Sequence, residues 1–386
     1  MTFSYYFNIT VFLRVVYYSI FSYKLETRMS PRRAMFLLLF VPFFLLMQLV
    51  NLLCTVLDEI FFAGYKTVDV RQPLFILGVP RSGTTFMHRL FSEDRQFTTT
   101  KTWELIFAPT VVQKLFWLGV GRLDHWLGTP MYRLLLFVES KLFAKTNKIH
   151  KTSFFEPEED EFFLIHTFDS ATLYFLFPDR QAFWKFCYFD ERVSREQRQK
   201  IMTYYKNCIR KHLYVFGRDK TYMTKNPSMC SKIRSTYETF PDSRVICLVR
   251  TPYQSVPSVI NLFRHLFKQA NGDGDIENIK SLGMEVASYF YDYPMKALAG
   301  YPENQWKIVM FNDLITSPLN TTRRVYDALG YTISDEFHRI IEVEEENAGR
   351  PRENANDYNQ YGITKALINK HYAWVFEQFD FEMEAE

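Results

Sequence analysis

The chain has 386 residues, enough for one large or two modest domains with an ample buried core. Its 46 Lys and Arg residues against 43 Asp and Glu give a formal net charge of only +3, so overall charge gives no sign of a nucleic-acid-binding protein. Aromatic residues make up 18% of the chain, a high share that fits a Phe-rich core or contact with a membrane or an apolar ligand.

Residues 34–57 form the first long predicted element, an apolar helix. The segment carries no charged side chain and is long enough to cross the hydrocarbon core of a bilayer. Pro42, Gln48 and Asn51 weaken the apolar pattern without removing it. We therefore expect membrane contact through residues 34–57.

A shorter aromatic and apolar segment precedes this helix. Residues 5–23 contain Arg14, which favours a position in the membrane interface rather than across the bilayer. The sequence thus predicts a membrane-associated helical segment over residues 1–66 and a main domain over residues 67–386. The alternative is that the N-terminal segment is an amphipathic arm packed on the main domain.

Two signals disagree about the side of the membrane on which the main domain lies. Basic residues precede the long apolar segment and acidic residues follow it, namely Lys24, Arg28, Arg32, Arg33, Asp58 and Glu59. By the positive-inside rule, this distribution places the main domain on the outer or lumenal face. The five Cys residues form no disulfide framework and favour a reducing, cytoplasmic compartment. Both faces stay open.

The most informative motif follows the N-terminal segment. An apolar run from Leu74 to Val79 predicts a buried strand, and a helical pattern begins just after Gly83. Gly78 and Gly83 have the G-x-x-x-x-G spacing that lets backbone N–H groups surround a phosphate at a helix N-terminus. A Walker loop would place Lys where this chain has Thr84, and the cation is instead Arg81. The loop predicts an anion site, but not the magnesium-ATP site of an ordinary P-loop NTPase.

A second strand supplies another predicted anion site. The strand predicted near residues 244–249 is apolar from Val245 to Val249 and is followed by Arg250, where a Walker B strand would carry an acidic residue for magnesium. Ser258 lies in the first turns of the next predicted helix, so Arg250 and Ser258 can converge on one phosphate. Two anion sites, one per strand–helix unit, suit a ligand with phosphates at opposite ends of a nucleoside. The compound 3′-phosphoadenosine 5′-phosphosulfate has this form, whereas a nucleoside triphosphate does not.

Four predicted strands, separated by helices, define the fold class. They lie near residues 74–79, 221–224, 244–249 and 307–310. The intervening helices include aromatic-rich ones within residues 105–145 and one that Ser194 would cap and Gly217 would end. The sequence therefore predicts an α/β fold, a P-loop-like parallel sheet flanked by helices, with an N-terminal apolar helical membrane segment. In such a sheet, ligands bind at the carboxyl ends of the strands.

Both anion motifs resemble those of the sulfotransferase superfamily. The segment from Pro80 to Thr85 is similar to the 5′-phosphosulfate loop of these enzymes, and Arg250 with Ser258 is similar to their 3′-phosphate motif. The chain resembles most the broad group that includes the tyrosylprotein sulfotransferases and uncharacterised bacterial members. The closing segment around Ile308 to Leu314 also matches, so the resemblance covers roughly residues 73–375.

The resemblance implies an enzyme that moves a sulfonate from 3′-phosphoadenosine 5′-phosphosulfate to a hydroxyl acceptor. Transfer of this kind passes through a loose, in-line transition state, so placement and charge stabilisation do most of the work. By this analogy, the groups that hold the 5′-phosphate are Arg81, Ser82, Gly83, Thr84 and Thr85. Lys225, in the segment Thr224–Pro227, corresponds to a Lys that touches the bridging oxygen or the sulfonate. These cations make a metal ion unnecessary.

A general base must take the proton of the acceptor hydroxyl. Glu104, which follows Trp103 beyond the first helix of the main domain, is the first choice, because several members of the family carry a catalytic Glu there. Glu159, Asp160 and His150 are the alternatives. The basic loop over residues 349–352 is a candidate for closing over the nucleotide, with an ordinary surface loop as the favoured interpretation.

The acceptor cannot be read from the sequence. The aromatic excess and the predicted membrane segment favour a lipid, a sterol-like compound or a glycan, and a peptide tyrosine is a further alternative. Two other function classes stay open, an atypical P-loop kinase and a non-catalytic nucleotide-binding membrane protein. We expect no nucleic-acid partner, and the sequence does not indicate an oligomeric state.

Overall fold

A computed structural model describes residues 4–21, 29–142, 153–272, 274–348 and 362–384 of the chain. In this part of the chain, five strands form one sheet. Their bounds are β1 Leu74–Gly78, β2 Phe97–Thr98, β3 Thr221–Lys225, β4 Arg244–Val249 and β5 Trp306–Met310. The four predicted strands are confirmed to within one residue at each end, and β2 is additional, because two residues are too few to show a strand pattern.

The sheet is parallel throughout, with the strand order β2-β3-β1-β4-β5. The central strand β1 is buried along its whole length, as its uninterrupted apolar sequence predicts. Its neighbours are in register with it, Ile76 opposite Lys225 and Gly78 opposite Leu248. The carboxyl ends of β1, β3 and β4 therefore meet at one edge of the sheet. This edge brings together the glycine loop, Lys225 and Arg250.

Seventeen α-helices surround the sheet in the described residues. The first nine are α1 Ile9–Phe21, α2 Pro31–Phe61, α3 Thr84–Ser92, α4 Thr102–Phe107, α5 Val111–Trp126, α6 Pro130–Leu142, α7 Glu161–Thr167, α8 Arg180–Phe183 and α9 Phe189–Arg192. The others are α10 Arg195–Phe216, α11 Ile233–Thr239, α12 Pro252–Asn271, α13 Ile276–Leu298, α14 Phe311–Thr316, α15 Pro318–Leu329, α16 Asp335–Glu346 and α17 Lys365–Gln378.

The predicted stop and start signals of α10 are confirmed. The Ser194 side chain accepts a hydrogen bond from the Gln197 N–H, and Gly217 follows the last residue of the helix.

Side chains along β1 alternate between the two faces of the sheet. Phe75 and Leu77 join the larger apolar cluster on one face, and Leu74 and Ile76 join a smaller cluster on the other. Helices thus cover both faces of the sheet, as expected for a doubly wound α/β fold.

The N-terminal helices pack against the rest of the chain. Asp58, near the end of α2, accepts hydrogen bonds from the Val111 and Val112 N–H groups, each at 2.9 Å, and so caps the start of α5. The Lys211 ammonium lies 3.0 Å from the same carboxylate. Farther back along α2, Gln48 donates to the His166 carbonyl at 3.0 Å. These contacts match the alternative of an amphipathic arm packed on the main domain.

Candidate functional site

The glycine loop after β1 forms a cradle at the start of α3. Gly83 has φ 92°, in the left-handed region, and no side chain caps the helix that begins at Thr84. The first N–H groups of such a helix have no acceptor within the helix and are suited to an anion. A Cβ atom on Gly83 would lie 2.6 Å from the Phe311 ring, and one on Gly78 would lie 2.3 Å from the Leu248 carbonyl oxygen. Only glycine fits at these two positions, which is the property expected of a phosphate-binding loop.

Ser82 lies behind this cradle rather than on its surface. Its side chain is fully buried, and its N–H donates to the Val79 carbonyl at 3.1 Å. Thr84 and Thr85, by contrast, line the cavity next to the loop. Thr84 and Thr85, rather than Ser82, can therefore offer side-chain hydroxyl groups to a ligand.

Two guanidinium groups meet beside the loop. Arg81 has φ 75°, a strained conformation for a residue with a side chain, and its Nε donates to the Ser258 hydroxyl at 3.1 Å. The Arg250 Nη1 donates to the Arg81 carbonyl at 2.9 Å, and its guanidinium lies 4.0 Å from the centre of the Phe311 ring. Burial lowers the pKa of Arg81. The structure therefore joins the residues of the two predicted anion motifs, and the Arg81 side chain points to Ser258, the residue expected at the 3′-phosphate.

Lys225, at the end of β3, contacts the acidic segment before α7. Its Nζ lies 2.5 Å from Glu159 Oε1 and 3.8 Å from Glu158 Oε1. The lysine is almost completely buried, whereas a third of the Glu159 side chain is exposed, and both glutamates line the cavity. The carboxylate of Glu159 is thus the group of this pair that faces a ligand.

Glu104 lies in a buried ionic cluster and does not line the cavity. Its Oε1 is 2.7 Å from His212 Nδ1 and 3.3 Å from Lys114 Nζ. Burial by itself would raise the pKa of Glu104, but the charges of His212 and Lys114 bring the pKa below its usual value. A low pKa makes a poor proton acceptor near neutral pH. The structure thus does not bring Glu104 to the other predicted site residues, and its carboxylate instead contacts Lys114 of α5 and His212 of α10.

The other candidates for the base lie elsewhere. Asp160 is fully buried and accepts hydrogen bonds from the Tyr222 hydroxyl and the Asn226 amide, each at 3.0 Å, as well as from Tyr205. Burial raises the pKa of Asp160 to about 6. These contacts assign Asp160 to the packing between β3 and α10. His150 and the loop over residues 349–352 lie outside the described residues.

A cavity of about 900 Å³ extends from the glycine loop into the helical part of the molecule. Its polar wall includes Arg81, Thr84, Thr85, Glu159, Arg250 and Gln254. Its apolar wall includes Phe162, Phe175, Trp184, Phe263, Leu266 and Phe290. Sequence reasoning did not find the apolar wall, because its residues come from several helices and turns far apart in the chain and share no motif. In the described residues, no group of three or more His, Cys, Asp or Glu side chains is arranged to hold a metal ion.

Comparisons with known proteins agree with this geometry. A family model described as the sulfotransferase family matches residues 73–335. The sulfotransferase Stf3 of Mycobacterium bovis and Mycobacterium tuberculosis, which acts on omega-hydroxy-beta-dihydromenaquinone-9, is 26% identical over 330 residues, 82% of this chain and 77% of Stf3.

Two solved structures have the same fold. The sulfotransferase STF9 from Mycobacterium avium superposes with a TM-score of 0.68 at 19% identity, over 100% of both chains. The sulfotransferase STF1 from Mycobacterium tuberculosis superposes with a TM-score of 0.65 at 20% identity, over 94% of this chain and 91% of STF1.

Proposed function

The chain belongs to the sulfotransferase family, and on this premise we propose that it transfers a sulfonate from 3′-phosphoadenosine 5′-phosphosulfate to a hydroxyl group of a lipid-like acceptor. The observation that carries the proposal is the cavity, because a glycine cradle with two arginines continues directly into an aromatic compartment. Membership of this family also decides against the atypical kinase and the non-catalytic protein that the sequence left open.

The donor would bind with its adenosine phosphates at the polar end of the cavity. The N-terminus of α3, with Thr84 and Thr85, suits the 5′-phosphate, where negative charge grows as the sulfonate leaves. Arg81 contacts Ser258 and Arg250 contacts Arg81, so these three residues suit the 3′-phosphate together. This assignment differs from the sequence-based expectation, which gave Arg81 to the 5′-phosphate.

Glu159 is the base that the geometry favours over Glu104, because Glu159 lines the cavity and Glu104 is buried against Lys114 and His212. The acceptor oxygen attacks the sulfur while the Glu159 carboxylate takes the hydroxyl proton. An oxygen–sulfur bond forms to the acceptor, and the bond from sulfur to the bridging oxygen of the donor breaks. The products are a sulfate ester and 3′,5′-bisphosphoadenosine. A role for Lys225 at the bridging oxygen stays a prediction, because the Lys225 side chain is almost completely buried and Glu159 is the member of this pair that lines the cavity.

Two observations support a lipid-like acceptor. Aromatic side chains form the deep wall of the cavity, and Phe175 and Phe263 pack with ring centres 4.8 Å apart. A wall of this kind buries an apolar chain favourably and offers little to a sugar. The relative Stf3 acts on omega-hydroxy-beta-dihydromenaquinone-9, a lipid-like menaquinone derivative that carries a hydroxyl group.

Membrane association through residues 34–57 is part of the proposal. Among the described residues, α2 is the helix that is long and apolar enough to cross a bilayer. A lipid acceptor gives such a helix a purpose, because the enzyme must meet its substrate at a membrane. The side of the membrane is left open.

A binding titration tests the donor assignment. We expect 3′,5′-bisphosphoadenosine to bind without a metal and more tightly than ATP with or without magnesium. Arg250→Ala removes a charged contact to the 3′-phosphate and should weaken binding of the bisphosphate by about 10- to 100-fold. Arg71→Ala, which changes an exposed arginine before β1, is the matched control and should bind normally. Preference for magnesium-ATP, or equal binding by the Arg250 variant, would contradict the proposal.

A further inference from the structure

Exposed apolar side chains are concentrated in one part of the molecule. Of the large hydrophobic residues exposed in the described part of the chain, all but Val343 and Met383 lie between Ile9 and Val138. Nearly all of these residues belong to the helices α1, α2, α5 and α6. Exposed apolar patches of this extent mark a surface that contacts another apolar phase.

The four helices form one continuous surface, which we call the apolar face. Phe12 of α1 stacks on Phe44 of α2, with ring centres 5.6 Å apart. Gln113 of α5 donates to Asn51 of α2 at 2.8 Å, and Asp124 of α5 accepts from the N–H at the start of α6, at 2.7 Å. Each helix is therefore fixed to its neighbour, and the exposed side chains lie on their shared outer side.

The inner side of α2 shows that this helix lies along the protein rather than across a bilayer. Gln48, Asn51, Thr55 and Asp58 are buried and are spaced three, four and three residues apart, so they share one side of the helix. Gln48, Asn51 and Asp58 have partners in the main domain, including the His166 carbonyl and the start of α5, whereas Thr55 donates to the Asn51 carbonyl of its own helix. A spanning helix would have to break these hydrogen bonds and expose the polar side to hydrocarbon, which is costly.

Charge on the apolar face has one sign. The exposed ionised side chains of the four helices are Arg32, Arg122, Arg133 and Lys141. Of the four acidic residues of these helices, Asp58 and Asp124 are buried, and Glu59 and Glu139 are partly buried and accept hydrogen bonds from the protein. Basic side chains around an apolar surface complement the anionic headgroups of a phospholipid bilayer.

The apolar face also adjoins the apolar end of the cavity. Arg32, in the first turn of α2, donates to the carbonyl of Gln269 at 3.0 Å, and Gln269 lines the cavity. Arg33 donates to the carbonyl of Leu176, next to the cavity residue Phe175. The N-terminal turns of α2 thus lie beside the compartment proposed for the acceptor.

We propose that α1, α2, α5 and α6 dock this enzyme onto one leaflet of an anionic lipid bilayer, with α2 lying in the interface and the apolar end of the cavity at the membrane. The face takes no part in donor binding and brings the enzyme to its acceptor. This inference rests on the proposed function only for the lipid nature of that acceptor.

Flotation of the full chain with vesicles tests the docking. We expect binding to phosphatidylcholine vesicles that contain phosphatidylglycerol, and weaker binding to phosphatidylcholine alone or at high salt. The double variant Leu46→Gln, Leu53→Gln should bind about 100-fold more weakly, because each change removes a half-exposed apolar side chain worth about tenfold. The double variant Val343→Gln, Met383→Gln has equally exposed side chains outside the face and should bind as the wild type does.

The orientation of α2 is tested with a tag ahead of residue 1. The purified protein is added to preformed vesicles or is co-reconstituted with them. If α2 lies in the interface, external protease should cut the tag on every molecule whose main domain lies outside the vesicle. A tag protected inside the vesicle would show that α2 spans and would overturn the docking mode. No flotation by the wild type, or equal loss in both double variants, would overturn the docking itself. The docking would also be overturned if sedimentation shows that the wild type is a dimer and that only the Leu46, Leu53 double variant disrupts it.

Bisphosphate binding separates this inference from the proposed function. The apolar-face variant should bind 3′,5′-bisphosphoadenosine as the wild type does, because the loop at β1 is unchanged. A wild type that binds the bisphosphate but not vesicles would leave the proposed function standing and refute the docking. A wild type that binds vesicles but not the bisphosphate would leave the docking standing and refute the proposed function.

Discussion

Replacing Glu104 by Gln distinguishes a structural role from a catalytic one. The substitution removes the negative charge that Lys114 and His212 share, and it leaves a buried ammonium without its counterion. Breaking a buried ion pair in this way costs about 3–5 kcal/mol. For a chain of 386 residues, this loss lowers the melting temperature by roughly 4–6 °C. Turnover per folded molecule should change little, because Glu104 does not line the cavity.

The pH dependence of this effect has a definite sign. Since the folded-state pKa of Glu104 is lowered, its carboxylate stabilises the folded protein above the ordinary value of 4.5 and loses that contribution as the pH falls through the folded-state pKa. The difference in stability between the wild type and Glu104→Gln should therefore be full at neutral pH and shrink in acid. Thermal or urea unfolding at several pH values measures it.

Glu159→Gln should show the opposite behaviour. A third of the Glu159 side chain is exposed and Glu158 stays 3.8 Å from the buried Lys225 ammonium, so stability should fall less than in Glu104→Gln, while kcat falls by about 10²- to 10⁴-fold with bisphosphate binding retained. Glu156→Gln changes an exposed residue three positions earlier and serves as the control for both assays. The reasoning is refuted if Glu104→Gln abolishes turnover at unchanged stability, because that result would return the base to Glu104.

Two further variants probe the loop and the buried network. Gly83→Ala places a methyl group 2.6 Å from the Phe311 ring on a backbone with φ 92°. We therefore expect the free energy of unfolding to fall by about 1–3 kcal/mol and bisphosphate binding to weaken. A fully stable variant that binds the bisphosphate normally would show that the loop has room for a side chain at this position. Asp160 has its pKa raised to about 6 by burial, so its contribution to stability is present below pH 4 and is lost as the pH rises through about 6, a change of about 3 kcal/mol. Asp160→Asn should remove this slope from the unfolding free energy measured between pH 4 and 7, and an unchanged slope would show that another group titrates.

Local sequence was sufficient for the sheet and the loop. The apolar run of β1 and the glycine spacing after it are signals within a few residues, and so are Ser194 and Gly217 at the ends of α10. Arg250 and Ser258 were found for the same reason, because each follows a recognisable strand. The contact between Arg81 and Ser258 joins residues 177 positions apart, and no local pattern could give its direction.

The environment of Glu104 could not be predicted because its partners are distant in sequence. The motif Trp103-Glu104 has the features of a helix start, and Lys114 and His212 lie on two other helices. Only the folded arrangement of α4, α5 and α10 brings Lys114 and His212 to this carboxylate. The orientation of α2, by contrast, had a local signal that the sequence interpretation did not use. Gln48, Asn51 and Asp58 share one side of a helix, which marks a side that must be buried against polar partners.

The aromatic excess of the chain has three separate causes, which composition cannot distinguish. Phe12 and Phe44 pack in the core, Phe175 and Phe263 line the cavity, and Phe43, Phe61 and Phe137 are exposed on the apolar face. A core phenylalanine stabilises the fold, and one in the cavity would contact the proposed acceptor. One on the apolar face contributes to neither in aqueous solution, because its side chain stays in contact with water. Retention of many such residues on one surface is therefore explained by a phase other than water, and the basic side chains around them identify that phase as an anionic bilayer in our proposal.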